Sequence, residues 1–256
     1  MNMIQTENLT RSFDGKVAVD HISFSIPRGQ ICGYLGPNGA GKTTTVKMLT
    51  GMLRPTEGRA WIGGHDVVTE PLAVKKMIGY VPESGALYEN LTPEEYLTMV
   101  GLLYHIPEDR LQEKITEFLR LFGLEEVRHD RMTSFSKGMK QKVVISAALL
   151  HNPDVIFFDE PLNGLDANSA LLLKELIRRL AGQGKTIFYC SHILEVVEKI
   201  CDRVLIIHEG KIVADGAIDE LRKLTRQSSL EGIFSQVTHS DDMAEIAEAF
   251  SKIMTA

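Results

Sequence analysis

The segment QICGYLGPNGAGKTT, Gln30 to Thr44, passes from a short apolar stretch through a glycine-rich turn into a lysine and two threonines. Its first part reads as a buried strand, and the residues from Thr44 to Leu53 read as a helix. The turn between them, GPNGAGKTT, fits the pattern GxxxxGK[ST] through Gly36, Gly41, Lys42 and Thr43. Glycines let successive backbone N–H groups face one anion, so Gly36, Pro37, Asn38, Gly39, Ala40, Gly41 and Thr44 outline a cradle for phosphates. The Lys42 ammonium would reach the β and γ oxygens, and the Thr43 hydroxyl would ligate Mg²⁺. A strand before the loop and a helix after it are the context this chemistry requires.

Downstream, VIFFDEP (Val155 to Pro161) is an apolar run ending on two carboxylates, Asp159 and Glu160. A buried strand of this kind would bring both acids to the sheet edge where the phosphate loop emerges. Asp159 is then placed to hold Mg²⁺ through water, and Glu160 to polarise an attacking water as general base. TIFYCS is a further strand, separated from VIFFDE by the helix ANSALLLKELIRRLAGQG. Strand, helix and strand in that order predict a parallel sheet covered by helices.

Around this centre, Met3 to Leu35 reads as short strands with turns at DGK and PRG, and RPTEGRAWIGGHDVV as a turn, a strand and a Gly-Gly hairpin. Between Thr92 and Leu150 the periodicity is helical. TPEEYLTMVGLLY has a threonine cap with proline at the first helical position, and EDRLQEKITEFLRLFGL is amphipathic and stops at Gly123. RVLIIHEGKIVADG reads as a hairpin through Glu209-Gly210. After Leu224 the chain turns polar before a last amphipathic helix from Asp241 to Met254.

Composition narrows the function class. A formal net charge of −6 argues against adhesion to nucleic acid or anionic lipid, so no nucleic-acid partner is expected. Three cysteines without CxxC spacing read as reduced thiols of a cytosolic protein. The stretch MNMIQTENLTRSF lacks the regions of a signal peptide, and no apolar run approaches the roughly 18 residues of a membrane-spanning helix. The chain is not expected to cross a membrane.

A second stretch, SFSKGMKQKV (Ser134 to Val143), also resembles an anion site at a helix N-terminus: a serine, a glycine and three lysines lead into VVISAALL. With the phosphate loop and the Asp159-Glu160 pair, FSKGMKQ makes the chain from Ile4 to Leu224 resemble the ATP-binding cassette (ABC) ATPases. FSKGMKQ is similar to that family's signature LSGGQ, matching at Ser136 and Gly138 and departing at Phe135, Lys137 and Met139. The SKGM form resembles the branch that serves drug, sodium and gliding-motility exporters.

The resemblance implies an α/β fold: a phosphate-loop NTPase core of the RecA-like kind, an antiparallel β subdomain, and a helical subdomain inserted at about residues 85–150. The ATPase domain would span 1–224, with 225–256 a C-terminal helical extension. ATP and Mg²⁺ are the implied cofactors. Two cassettes would dimerise head to tail, Ser136 and Gly138 of one capping the nucleotide on the phosphate loop of the other, as a homodimer or with a sister cassette. Phe13 is similar to the aromatic that stacks on adenine. Asp166, in NGLD, resembles the residue linking the two sites across the interface, and His192, in SHILE, the switch histidine at the γ-phosphate. Glu83 stands where the family usually has a glutamine that touches Mg²⁺, and Glu83 to Tyr96 would line the groove for a coupling helix.

The implied function is ATP hydrolysis that drives a separate integral membrane permease, with the chain cytoplasmic and peripheral on the inner face of the cell membrane. The alternative is a soluble ABC ATPase acting on ribosomes or chromosomes. Such proteins usually carry two cassettes or a long coiled-coil insertion, and neither is in this sequence. A phosphate-loop kinase would need an acceptor site and no signature helix.

Overall fold

The computed structural model describes residues 1–83 and 87–238. In chain order the elements are β1 (Asn2–Phe13), β2 (Lys16–Pro27), β3 (Ile31–Leu35), α1 (Lys42–Leu49), β4 (Glu57–Ile62), β5 (His65–Asp66), α2 (Pro71–Met77), β6 (Ile78–Val81), α3 (Pro93–Leu103), α4 (Glu108–Leu121), α5 (Lys137–Leu149), β7 (Val155–Asp159), α6 (Ala167–Gly182), β8 (Thr186–Cys190), α7 (Leu194–Ile200), β9 (Arg203–His208), β10 (Lys211–Gly216), α8 (Ile218–Thr225) and α9 (Leu230–Thr238).

Two sheets organise them. One is antiparallel in the order β2-β1-β4-β5, and the other runs β10-β9-β3-β8-β7-β6. In the second, β3 is parallel to both β8 and β9, and β7 is parallel to both β6 and β8; only β10 runs antiparallel. Every residue of β3, β7 and β8 is buried, which explains why these strands read as continuous apolar runs and not as alternation. The two faces still differ. Cys32, Tyr34, Phe157 and Phe188 point to a core shared with the antiparallel sheet, where Tyr34 and Phe188 lie 4.9 Å apart. Ile31, Leu35, Ile156 and Phe158 point to the helical side.

The inserted helices follow their sequence signals closely. Thr92 caps α3 with a capping box: Thr92 Oγ1 accepts from the Glu95 N–H at 3.2 Å, and the Thr92 N–H donates to Glu95 at 2.9 Å. The stripe Leu111, Ile115, Leu119 of α4 is buried, and the chain leaves the helix through Gly123 at φ +66°.

Three differences from the sequence reading matter. Helix α1 begins at Lys42, not Thr44, and ends at Leu49, because Gly41 is its N-cap and Gly51 at φ +70° turns the chain away. Helix α2 and strand β6 were not anticipated; β6 has only four residues and is defined by its pairing with β7, from Ile78 opposite Val155 to Val81 opposite Phe158. The polar stretch after Leu224 contains α9, anchored by buried Leu230 and Ile233. The helix expected from Asp241 to Met254 lies outside the described residues. Among the described residues no helix is long and apolar enough to cross a membrane.

Candidate active site

The phosphate loop leaves the C-terminal end of β3, at the edge of the parallel sheet where ligands bind in open α/β folds. Gly41 has φ +110° and caps α1 without a side-chain hydrogen bond, so the first-turn N–H groups of α1 are not consumed by a cap. The loop is fixed from behind: a Cβ on Gly41 would come within 2.5 Å of the Ala18 carbonyl oxygen, and one on Gly36 would overlap the Ile207 carbonyl. Lys42 is buried, its Nζ donating to the carbonyls of Gly36 at 2.6 Å and Pro37 at 3.2 Å. The ammonium is thus held by the loop that its sequence spacing assigns to phosphate.

Thr43 Oγ1 donates to Asp159 Oδ2 at 3.2 Å, while the other carboxylate oxygen, Oδ1, is buried with no partner. Burial, with the neighbouring charges of Glu83 and Glu160, pushes the Asp159 pKa up to about 6, against the pull of the Thr43 hydrogen bond and Lys42. A 1% exposed carboxylate with an orphaned oxygen beside a hydroxyl suits a hard cation with oxygen ligands, so Thr43 and Asp159 fit Mg²⁺.

The chain turns sharply after Asp159. Glu160 adopts φ +50°, a left-handed conformation uncommon for a residue with a Cβ, and its N–H donates to the Cys190 carbonyl at 3.0 Å. Its nearly buried carboxylate accepts from Ser191 Oγ at 3.3 Å and faces His192 Nδ1 at 2.8 Å. Strands β7 and β8 thereby bring the acid and the imidazole together at adjacent strand ends.

These groups line one cavity of about 530 Å³, with Pro37, Asn38, Gly39 and Thr44 on its loop side. Glu83 borders it as well. Ala40 is buried within the loop, its carbonyl accepting from the Gly210 N–H at 3.1 Å. Ala18, Ser191, Leu194 and Phe234 line the cavity without having been expected. Ser191 was within reach of sequence reasoning as the neighbour of His192, whereas Phe234 carried no local signal.

The remaining expected residues stand apart from the cavity lining. Phe13 ends β1, is 42% exposed, and carries the Arg11 guanidinium 4.5 Å above its ring. Ser136 is the N-cap of α5, its Oγ accepting from the Met139 N–H at 3.2 Å. A Cβ on Gly138 would overlap the Gly164 carbonyl, so α5 packs directly on the NGLD turn. Asp166 caps α6, accepting from Ser169 N at 2.9 Å and Ser169 Oγ at 2.6 Å, and pairs with Lys142 at 3.2 Å. Those Ser169 hydrogen bonds, then Lys142, hold its carboxyl well below the usual range. Helix α5, with Ser136 and Gly138 in its first turn, is thus joined to the turn of Gly164 and Asp166, apart from the cavity lining.

A glycine loop between strand and helix, with Lys42, Thr43 and Asp159 converging on one cavity, defines a phosphate-loop nucleoside triphosphatase. Within that class the chain belongs to the ABC transporter family, whose pattern residues 19–163 match. It is 39% identical to the ABC transporter ATP-binding protein NatA of Bacillus subtilis over 238 residues, 91% of this chain and 96% of that one. It is 38% identical to the linearmycin resistance ATP-binding protein LnrL of the same organism, across 86% of this chain and 70% of the relative. A solved ATP-binding subunit of an ABC transporter superposes with a TM-score of 0.88 at 32% identity, covering 92% of this chain and 99% of that one. The chain is accordingly an ATP-binding ABC transporter subunit and an ATPase.

Proposed function

We propose that the chain hydrolyses MgATP in the cavity above β3, β7 and β8, and that a pair of such cassettes drives an export permease. The convergence of Lys42, Thr43, Asp159, Glu160 and His192 on one cavity carries this reading. The loop N–H groups and Lys42 bind and orient the phosphates. Thr43 and Asp159, with Glu83 beside them, would hold Mg²⁺, which when bound neutralises phosphate charge. Glu160 accepts the proton of the attacking water, and His192 orients that carboxylate through the 2.8 Å contact.

Ser136, Gly138 and Asp166 line no part of the cavity of their own chain, which supports their serving a nucleotide bound to a second cassette, an identical copy or a sister. Residues 1–224 act as the ATPase domain, and 225–256 extend it. A second cavity of about 640 Å³, between α3, α5 and β6, shares Thr43, Glu83 and Asp159 with the first and is walled by Tyr80, Tyr96, Val100 and Tyr104. It suits an amphipathic helix of a membrane subunit, which would hold the chain on the cytoplasmic face of the membrane. The names of the relatives, resistance to linearmycin and to daunorubicin among them, favour export.

Glu160→Gln tests the chemistry. It keeps the side-chain shape and removes the base, so turnover should fall by about 10²- to 10³-fold while ATP binding persists and a dimer accumulates in light scattering. Wild-type turnover by this variant would remove Glu160 from the base role.

A further inference from the structure

The cavity is lined mostly by polar residues, but the lining includes two large apolar side chains, Leu194 and Phe234. Among the described residues Phe234 is the only lining residue that follows Leu194 in the chain. It belongs to α9, well past the last strand of the sheet. Helix α9 uses Leu230 and Ile233, both fully buried, to pack into the helical core; half-buried Phe234 packs against the same core and also reaches the cavity lining.

The attachment of α9 ties it to the catalytic segment. Glu198 of α7 accepts from the Leu230 N–H at 3.3 Å and pairs with Arg222 of α8, so α7, α8 and α9 are joined at one carboxylate. Helix α7 begins two residues after His192, and Ile193 N donates to Ser191 Oγ at 3.1 Å. The Ser191-His192 turn and the helix that carries Phe234 are thus linked through α7.

We propose that Phe234 is a wall of the ATP site, supplied by the C-terminal segment, that slows nucleotide release. The physical ground is the apolar contact area the ring adds to a lining of mostly polar residues: nucleotide leaving past it gives up dispersion contact and re-exposes that surface to water. The segment after Leu224 is then part of the catalytic site and a point at which events at the C-terminus reach ATP. The inference rests on the reading of this cavity as the nucleotide site.

The chain has a single tryptophan, Trp61, which lies in β4 outside the cavity lining, so a reporter can be placed cleanly. In the full chain carrying Trp61→Phe and Phe234→Trp, saturating MgATP should change the indole emission, and adding Lys42→Ala should abolish that change. Phe234→Ala in the native background should release a fluorescent ATP analogue about tenfold faster in stopped flow, with Phe234→Leu in between. Emission unmoved at MgATP concentrations that calorimetry shows to be saturating would overturn the proposal, as would wild-type release from Phe234→Ala. If Phe234→Ala fails to fold, the tryptophan variant, which retains an aromatic ring, decides. Absence of MgATP binding by the wild-type chain in calorimetry would instead bring down the nucleotide-site reading, a failure distinct from a silent tryptophan in a chain that binds.

Discussion

Helices α1 and α5 both begin with a glycine and a lysine close to a hydroxyl residue, yet their N-termini are finished in opposite ways. Helix α1 has a left-handed glycine for a cap and no side chain on its first-turn donors. Helix α5 has its cap filled by Ser136, whose Oγ takes the Met139 N–H. The lysines differ too: Lys42 is folded back on the loop carbonyls, whereas the stem of Lys137 packs over Gly164. The α1 terminus leaves its first-turn donors to the cavity of its own chain. At the α5 terminus Ser136 takes one of them, and under the function proposed above the remainder would meet a phosphate only when a second molecule brings it. Similar residue types at a helix start therefore lead to two differently finished termini, and the state of the cap is what tells them apart.

The largest expected effect breaks the comparison at its stronger end. Lys42→Ala should weaken ATP binding by more than about 100-fold, because the phosphates lose the one ammonium that the loop itself holds in place. Titration calorimetry checks this, and a loss smaller than about threefold would leave the α1 terminus no better an anion site than α5.

At the α5 end, Gly138→Ala asks whether the glycine serves phosphate or packing. Its Cβ would overlap a backbone carbonyl that cannot swing away, so the protein should lose about 1–3 kcal/mol of stability in urea denaturation, with ATP binding to the monomer nearly unchanged. Unaltered stability would mean that α5 and the NGLD turn are not in contact in solution.

Ser136→Asp sharpens the contrast further. Aspartate is as good an N-cap as serine, so α5 should keep its stability within about 0.5 kcal/mol. Its charge would meet the phosphate of the opposing nucleotide, and ATP-driven dimerisation should weaken by about tenfold or more, read by light scattering in the Glu160→Gln background. Equal loss of monomer ATP binding would place the phosphate in cis and dissolve the distinction between the two termini.

What could be read from the sequence divides along the same line. The phosphate loop and the Asp159-Glu160 pair were legible because strand, loop, helix and acid follow one another within short windows, and burial of β3 and β7 makes their apolar runs continuous. The reading of FSKGMKQ as a helix start was sound for the same local reason. The contact of Gly138 with Gly164, the coupling of Asp166 to Lys142, and the arrival of Phe234 at the cavity join residues far apart in sequence, and no local pattern encodes them. Helix α9 was hidden because its apolar residues, Leu230, Ile233, Phe234 and Val237, are diluted by serine, glutamine and glutamate. Phe13 ends β1 on the exposed β1–β2 hairpin, and its position relative to the cavity is likewise set by strand pairing and not by its local sequence.

The smallest effect concerns Asp166, the acid that closes the α5 side of the comparison. Its carboxylate is held well below the ordinary range by the Ser169 hydrogen bonds and Lys142, so the ionised form is favoured more in the folded chain than in the unfolded one. A depressed folded pKa contributes stability that is fully present above the unfolded value of about 3.9 and is lost as pH falls below it toward the folded value. Asp166→Asn keeps the size and an oxygen to cap Ser169 N, but it cannot pair with Lys142. The variant should therefore be slightly less stable than the wild type above about pH 5, by a constant margin, and that margin should shrink as the pH falls below about 3.9 toward the folded value. Because the Asp166 side chain is more than half exposed, added salt should also narrow the margin at neutral pH. Urea midpoints across that range measure it. A margin as wide at about pH 2 as at pH 7 would show that the carboxylate charge does not hold this turn, leaving α5 tied to the NGLD segment by the Gly138–Gly164 packing alone.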